Sequence, residues 1–197
     1  MKGLPLFVLT LGLVLFLTHP EAHADDAAKA RQYYQWNEVC QEGDLDQIDK
    51  TIGLLVKALQ QEPNDHLARA YLGSAYALRA KFGKWPPTRL SNLNKAKELM
   101  NQAVRHAPHD ARVRTVRAIA GYKVPKRFGY REVAIGDFKT VVPLALKGGQ
   151  GLTIRERQAI LYYASQAYRE EEVKGWKTLR QACHRLDPDN EYGQATK

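Results

Sequence analysis

The sequence predicts an all-α fold, an array of about four antiparallel helix pairs. Three observations carry that prediction. Residues 65–110 hold an apolar skeleton, Leu72-Gly73, Tyr76, Ala96, Met100, Ala103 and Pro108, at helical spacings on two successive segments. Amphipathic stripes of the same kind recur on both sides of that stretch. Prolines close the units, and Cys183 stands five residues before Pro188 as Ala103 does before Pro108.

The first 24 residues form a separate element. Met1-Lys2, an apolar run from Leu4 to Leu17, and Ala22-His23-Ala24 before Asp25-Asp26 make the pattern of a secretory signal peptide cleaved after Ala24. The run is short for a membrane span, which needs roughly 20 apolar residues, so an uncleaved anchor is the weaker alternative. No cysteine follows the cleavage point, which disfavours a lipid-anchored form. The expected location is periplasmic or secreted. Residues 25–190 are then the helical repeat domain and 191–197 a C-terminal tail.

Taken in order, residues 27–42 read as a helix with Tyr33, Trp36, Val39 and Cys40 on one face, stopped by Gly43. Asp44 caps a second helix, about 45–61, striped by Leu45, Ile48, Ile52, Leu55, Val56 and Leu59. In the second pair Gly73 and Ala103 let two backbones approach. Between its helices lies a long tip, Phe82 to Leu90, where Pro86-Pro87 argues against helix and Ser91 can cap the next helix. The third pair starts after Pro108-His109-Asp110 and has a tip from Lys123 to Arg131. Pro143 should kink or end its second helix, with Gly148-Gly149-Gln150-Gly151 as the connection. Thr153 and Glu156 make a capping box for the fourth pair. The last helix, 172–186, carries Val173, Trp176, Leu179, Cys183 and Leu186 on one stripe.

The 65–110 unit resembles the tetratricopeptide (TPR) repeat, with a large-small-aromatic series on the first helix, Ala…Phe…Ala on the second, then Pro. Met100 stands where that family usually has an aromatic residue. In the third pair Ala118, Ala134, Phe138 and Val141 fit the pattern, while Arg117 replaces the large apolar residue and Gly121 the aromatic one. In the fourth, Tyr163-Ala164 fit and Ala167 replaces the aromatic residue. Pro63 to Pro108 spans 45 residues against the family's 34, so the second and third repeats have lengthened loops between their helices. The resemblance implies a right-handed superhelix. It also implies a concave groove lined by first helices: Leu67, Ala70, Ser74, Ala77 and Leu78; then Arg112, Thr115, Ile119, Tyr122 and Lys123; then Gln158, Leu161, Ser165, Tyr168 and Arg169. An acidic or carboxylate-terminated segment with apolar side chains ahead of it would suit such a groove. Packing against neighbouring helices is the plainer use of some of these positions.

The two tips interleave basic and aromatic residues: Lys81, Phe82, Lys84, Trp85 and Arg89 in one, Lys126, Arg127, Phe128, Tyr130 and Arg131 in the other. Such residues anchor binding hot spots, or fold back over the core edge with their charges solvated. Interleaving of this kind also suits nucleic acid, a partner that export argues against. Partner-binding candidates are therefore Lys84, Trp85, Arg89, Arg112, Tyr122, Lys126, Arg127, Phe128, Tyr130, Tyr168 and Arg169.

The formal net charge is +9, unchanged by removal of residues 1–24. A basic exported protein can meet anionic lipid head groups, cell-wall polymers or acidic proteins, or simply stay soluble. The two cysteines, Cys40 and Cys183, fall on apolar stripes near opposite ends of the array. Buried thiols are expected there rather than an intramolecular disulfide, which needs its Cα atoms about 5.5 Å apart. No phosphate loop, serine elbow or HExxH pair occurs in the sequence. His106 and His109 lie near Asp65 and Asp110 in proline turns, and Glu170-Glu171-Glu172 at a helix junction. Both groups read as solvated, with no metal and no cofactor expected. The expected function is that of an exported, non-enzymatic TPR adaptor or scaffold holding a protein partner of the cell envelope in the groove and along the loop edge. The alternatives are a binder of an anionic envelope component and a structural subunit of a secretion or transport assembly.

Overall fold

Four side chains each stand one residue ahead of a helix and satisfy its first amides. Asp44 accepts from the amides of Asp46 and Gln47, Asp65 from Ala68, and Asp110 from Arg112 and Val113, at 2.7–3.4 Å. Thr153 and Glu156 form the reciprocal capping box. These caps start α2 (Leu45–Gln61), α3 (His66–Phe82), α5 (Ala111–Lys123) and α7 (Ile154–Glu170). The computed structural model describes residues 20–197, with side chains from Ala27 onward. The apolar run of the expected signal peptide lies outside the described residues. α1 is Pro20–Glu38, beginning seven residues ahead of the expected start. Among the described residues the chain is entirely helical, and no helix is long and apolar enough to cross a membrane.

The first correction falls at the second tip-to-helix junction. α4 is Pro86–His106, so the double proline begins the helix instead of preventing it, and Ser91 lies inside. Proline is tolerated in a first turn because amides there have no intrahelical acceptor to lose. Much of the extra sequence in this repeat is therefore added helix, and the connection shrinks to residues 83–85. In α6 (Arg131–Lys147) Pro143 does not end the helix, which runs on to Lys147. Pro143 and Lys139, whose carbonyl it leaves without a helical partner, are both exposed, so water can satisfy that carbonyl. Gly148 then stops the helix at φ +73°.

Residues 39–42 form a 3-10 turn rather than the end of the first helix. Its tighter winding rotates Val39 off the apolar face, leaving it 49% exposed, while Cys40 is buried. Val56 is likewise more exposed than its stripe implies. The last long helix, α8, is Trp176–Leu186, shorter at its start than expected. The expected tail is packed: α9 (Glu191–Gln194) buries Tyr192 and Gly193, and Thr196 is buried behind it. The Gln158 amide ties this end together, donating to the carbonyls of Cys183 (3.0 Å) and Asp187 (2.7 Å).

The helices pack as successive pairs, α3 with α4, α5 with α6 and α7 with α8, and α1, α3, α5 and α7 also touch in sequence. Phe138, Ile48, Leu55, Met100, Ile160 and Leu161 are the largest wholly buried apolar side chains. The Ala118, Ala134, Phe138 and Val141 series is buried together, as its spacing predicts. Cys40 and Cys183 are both free and buried, and burial pushes both thiols above the ordinary cysteine value.

The two departures of the third pair turn out to be filled. Arg117, at the large apolar position, joins Arg114 in binding the buried Asp137 carboxylate (2.7 and 2.6 Å). Gly121 makes room for the Tyr130 ring, because a Cβ there would stand 2.9 Å from Tyr130 Cδ1. Tyr130 is 4% exposed and its hydroxyl donates to Asn101 (3.0 Å), so this tip residue is part of the core.

At the opposite end of the pairs, the His66 and His106 rings stack 5.4 Å apart. The Arg69 guanidinium donates to His66 Nδ1 at 2.7 Å, which requires that nitrogen to be unprotonated. Burial, then the Arg69 and His106 charges, hold His66 below the ordinary histidine value. The neutral ring is thus favoured in the fold. Stability should be full above the unfolded value of about 6.5 and decline as pH falls from there toward the lowered folded value. Melting curves across that window should show the decline, and His66→Gln should flatten it. An unchanged slope in that variant would assign the decline to other groups.

A basic, tyrosine-lined cavity as the candidate functional site

The inner helices α1, α3, α5 and α7 line an open cavity of about 1060 Å³. The spacing of side chains on α1 explains its contribution: Ala27, Arg31, Tyr34, Glu38 and Gln41 recur every three or four residues and all face inward. Leu78, Ile119 and Ala159 supply apolar wall from the other three helices. The N-terminal extension of α4 adds Pro86, Arg89, Leu90 and Leu93, and the third-repeat tip adds Pro125, Arg127 and Phe128. Groove and tips, separate in the sequence, thus share one cavity.

The wall carries seven lysines or arginines against three glutamates. Arg112 spends its charge on Glu156 (2.6 Å) and also donates to the Gly151 carbonyl (2.9 Å). Arg155 pairs with Glu191 (2.9 Å) and approaches Glu38 (3.7 Å), so it links α7 to both α9 and α1. Its guanidinium also lies 5.6 Å from the Tyr34 ring centre. Lys81 and Lys123 stand in the last turns of α3 and α5, where they complement the negative helix ends. Withdrawal from water and the neighbouring Lys81 charge lower the Lys123 ammonium from the ordinary lysine value.

Four tyrosines, Tyr122, Tyr163, Tyr162 and Tyr192, form a chain of ring contacts with centroids 5.0–6.3 Å apart. The last three line the cavity. Burial and the neighbouring Tyr162 push Tyr163 up to about 12, and burial raises Tyr34 and Tyr192 as well. At neutral pH these hydroxyls stay protonated and can donate hydrogen bonds, as Tyr34 does to Glu38 (2.9 Å). Among the described residues no group of three or more His, Cys, Asp or Glu is placed to hold a metal ion.

Arg89, Arg112, Arg127 and Phe128 are the partner-binding candidates that the structure brings together in this cavity. Arg89 Nε donates to the Ala80 carbonyl (2.9 Å), and the Phe128 carbonyl accepts from Lys97 (2.7 Å), which fixes one tip against α4. Lys84 and Trp85 lie outside on the short α3–α4 connection, with Trp85 68% exposed. Lys126 pairs with Glu171 (2.8 Å), and Arg131 with Glu170 (3.1 Å). Tyr122 donates to Glu170 (2.6 Å) beneath the Arg131 guanidinium. The Glu170-Glu171 pair is therefore engaged by the third tip, a correction to its reading as a solvated junction.

No protein-family model and no curated protein matches this chain. The fourth helix pair departs furthest from the groove expected of it. Tyr168, 7% exposed, belongs to the core, as do Gln158, Leu161 and Ser165, while Arg169 is exposed beside Trp176. α8 and α9 cover that face of α7, so the face bearing Arg155, Ala159 and Tyr162 turns to the cavity instead. The sequence reading missed Arg31, Tyr34, Arg155, Tyr162 and Tyr192 as cavity residues. The polar 3–4 stripe on α1 was a usable signal for the first two. Tyr192 had none, because its helix is only four residues long.

Proposed function

We propose that this chain is a non-enzymatic adaptor of the TPR type, acting in the cell envelope, whose cavity holds an acidic segment of a protein partner. The carrying observation is the surplus of cations over carboxylates on a wall that is otherwise apolar and tyrosine-rich. A segment with apolar side chains and one or two carboxylates complements such a wall on both counts. The cavity slightly exceeds the ~300–1,000 Å³ of common small-molecule sites, which favours a chain segment as guest. Successive helix pairs, with the first helix of each on the cavity side, support the TPR-type arrangement and its right-handed superhelix. The pattern of residues 1–24 supports export.

Ile119 is half-buried in the middle of the wall and makes no polar contact that a larger side chain would break. Ile119→Trp should narrow the middle of the cavity and clearly weaken capture of a discrete partner from envelope extract by the tagged chain, with the melting temperature nearly unchanged. Wild-type capture by this variant would place the partner elsewhere and sink this reading.

A further inference from the structure

The two tips form the rim of the cavity, where Lys81, Arg89, Leu90, Lys123 and Arg127 line its mouth and Lys84 and Trp85 lie outside it. Residues 66–97 and 111–131 contain fourteen of the chain's 30 lysines and arginines and no aspartate or glutamate. Some of these cations are spent: Arg79 on Asp49, Lys126 and Arg131 on the Glu170-Glu171 pair. Lys81, Lys84, Arg89, Lys123 and Arg127 form no ion pair among the described residues. The tips are held side by side, since Phe128 packs against the cluster of Leu93, Val124 and Tyr130 and is pinned by Lys97. On the same stretch stand two of the most exposed large apolar side chains among the described residues, Trp85 (68%) and Leu90 (52%). Trp85 immediately precedes Pro86-Pro87 and Leu90 follows one turn into α4, so the prolines fix the backbone between them.

From this juxtaposition we infer that the tip edge docks on an anionic lipid bilayer, with Trp85 and Leu90 entering the interface and Lys81, Lys84, Arg89 and Arg127 facing the head groups, while Lys123 stays turned to Gln41 and Tyr163. Charge complementarity selects that surface. The cations sit on long stems with no shared geometry of the kind that reads one defined partner group, which suits phosphates laid out at random in a plane. The two apolar side chains are too few for the apolar centre of a stable protein interface, yet a tryptophan with a leucine beside it is what a bilayer interface accepts. The inference goes beyond the adaptor reading. It gives the cavity, whose rim shares Arg89, Leu90 and Arg127, a fixed orientation toward a membrane surface.

The test is co-sedimentation of the full chain with vesicles of phosphatidylcholine alone and of phosphatidylcholine with phosphatidylglycerol, at low and high salt. Binding is expected only to the anionic vesicles, weakened about tenfold or more by high salt. Tryptophan emission should shift to the blue on binding, and Trp85→Ala should abolish the shift although Trp36 and Trp176 remain. Lys84→Glu/Arg127→Glu should weaken binding by roughly 100-fold or more, taking each lost cation as about fivefold and each gained anion as about the same. Melting curves of both variants should match wild type. Equal binding to neutral vesicles, no binding at all, or wild-type binding by both variants would overturn the inference. So would equal competition by soluble polyglutamate together with an unshifted tryptophan spectrum, because that combination marks plain charge capture.

Discussion

Asp137→Ala should destabilise the chain by about 3–5 kcal/mol, measured by urea unfolding, more than any change at the surface. The carboxylate is 1% exposed and accepts from Arg114 Nη1 (2.6 Å) and from Arg117 Nε and Nη2 (2.7 and 2.9 Å). Its removal leaves two guanidinium groups half-withdrawn from water with no counter-charge, and the penalty for stranding a charge dominates the loss. Asp137→Asn keeps the size and one acceptor, so it should fall between wild type and alanine. In Arg117→Leu/Asp137→Leu one of the two stranded charges is removed, so part of the loss should return, because apolar groups of similar volume replace buried ion pairs at little cost. A cost below about 1 kcal/mol for Asp137→Ala would show that water reaches this cluster and carries the charge instead.

Gly73→Val should cost about 3 kcal/mol, toward the upper end of overpacking effects. A Cβ at Gly73 would stand 2.6 Å from Met100 Cγ, 2.9 Å from the Ala96 carbonyl oxygen and 3.2 Å from the Met100 amide nitrogen. Met100 can move its side chain, but the two backbone atoms can retreat only if α3 and α4 separate along the most closely packed pair in the molecule. Gly121 offers the matched comparison. The nearest atoms there belong to the Tyr130 ring and the Ala134 methyl, so Gly121→Ala should cost appreciably less than Gly73→Ala. The helix propensity gain of alanine over glycine, up to about 1 kcal/mol, is the same in both and cancels from the difference. Equal costs at the two sites would mean that the backbone approach at Gly73 is looser than these distances state.

The starts of α2 and α7 were legible, and the reason is local. Asp44 and Thr153 act within three residues of themselves, so their cap chemistry is complete in the sequence. Asp65 and Asp110 cap in the same way but read in the sequence only as turn residues, and the expected starts of α1, α4 and α8 are misplaced. The small residues that let pairs approach, Gly73, Ala103, Ala118 and Ala134, were legible for the same reason: their spacing alone puts them on one face. Pro86-Pro87 misled because proline forbids a helix interior and suits a helix start, and the sequence does not say which position it holds. Arg117 looked like a packing fault because its partner, Asp137, lies 20 residues away across a tip. The site was half legible. Most wall residues of α3 and α5 were among the groove positions that the TPR resemblance implies, whereas the orientation of α7 depends on α8 and α9 covering Gln158, Leu161 and Tyr168, which no local spacing announces.

The cavity wall is not equally strong all the way round. Between α3, α5 and α7 neighbouring helices share buried apolar side chains, but α1 meets α7 and α9 through Arg155, Glu38 and Glu191, each about half exposed. That seam is held by wet, salt-screened pairs worth little individually, with Tyr34 packed on Arg155. On the adaptor reading proposed above, this is where the wall would part, so that a continuous polypeptide would enter by its middle, from the side, as a cord enters a clip.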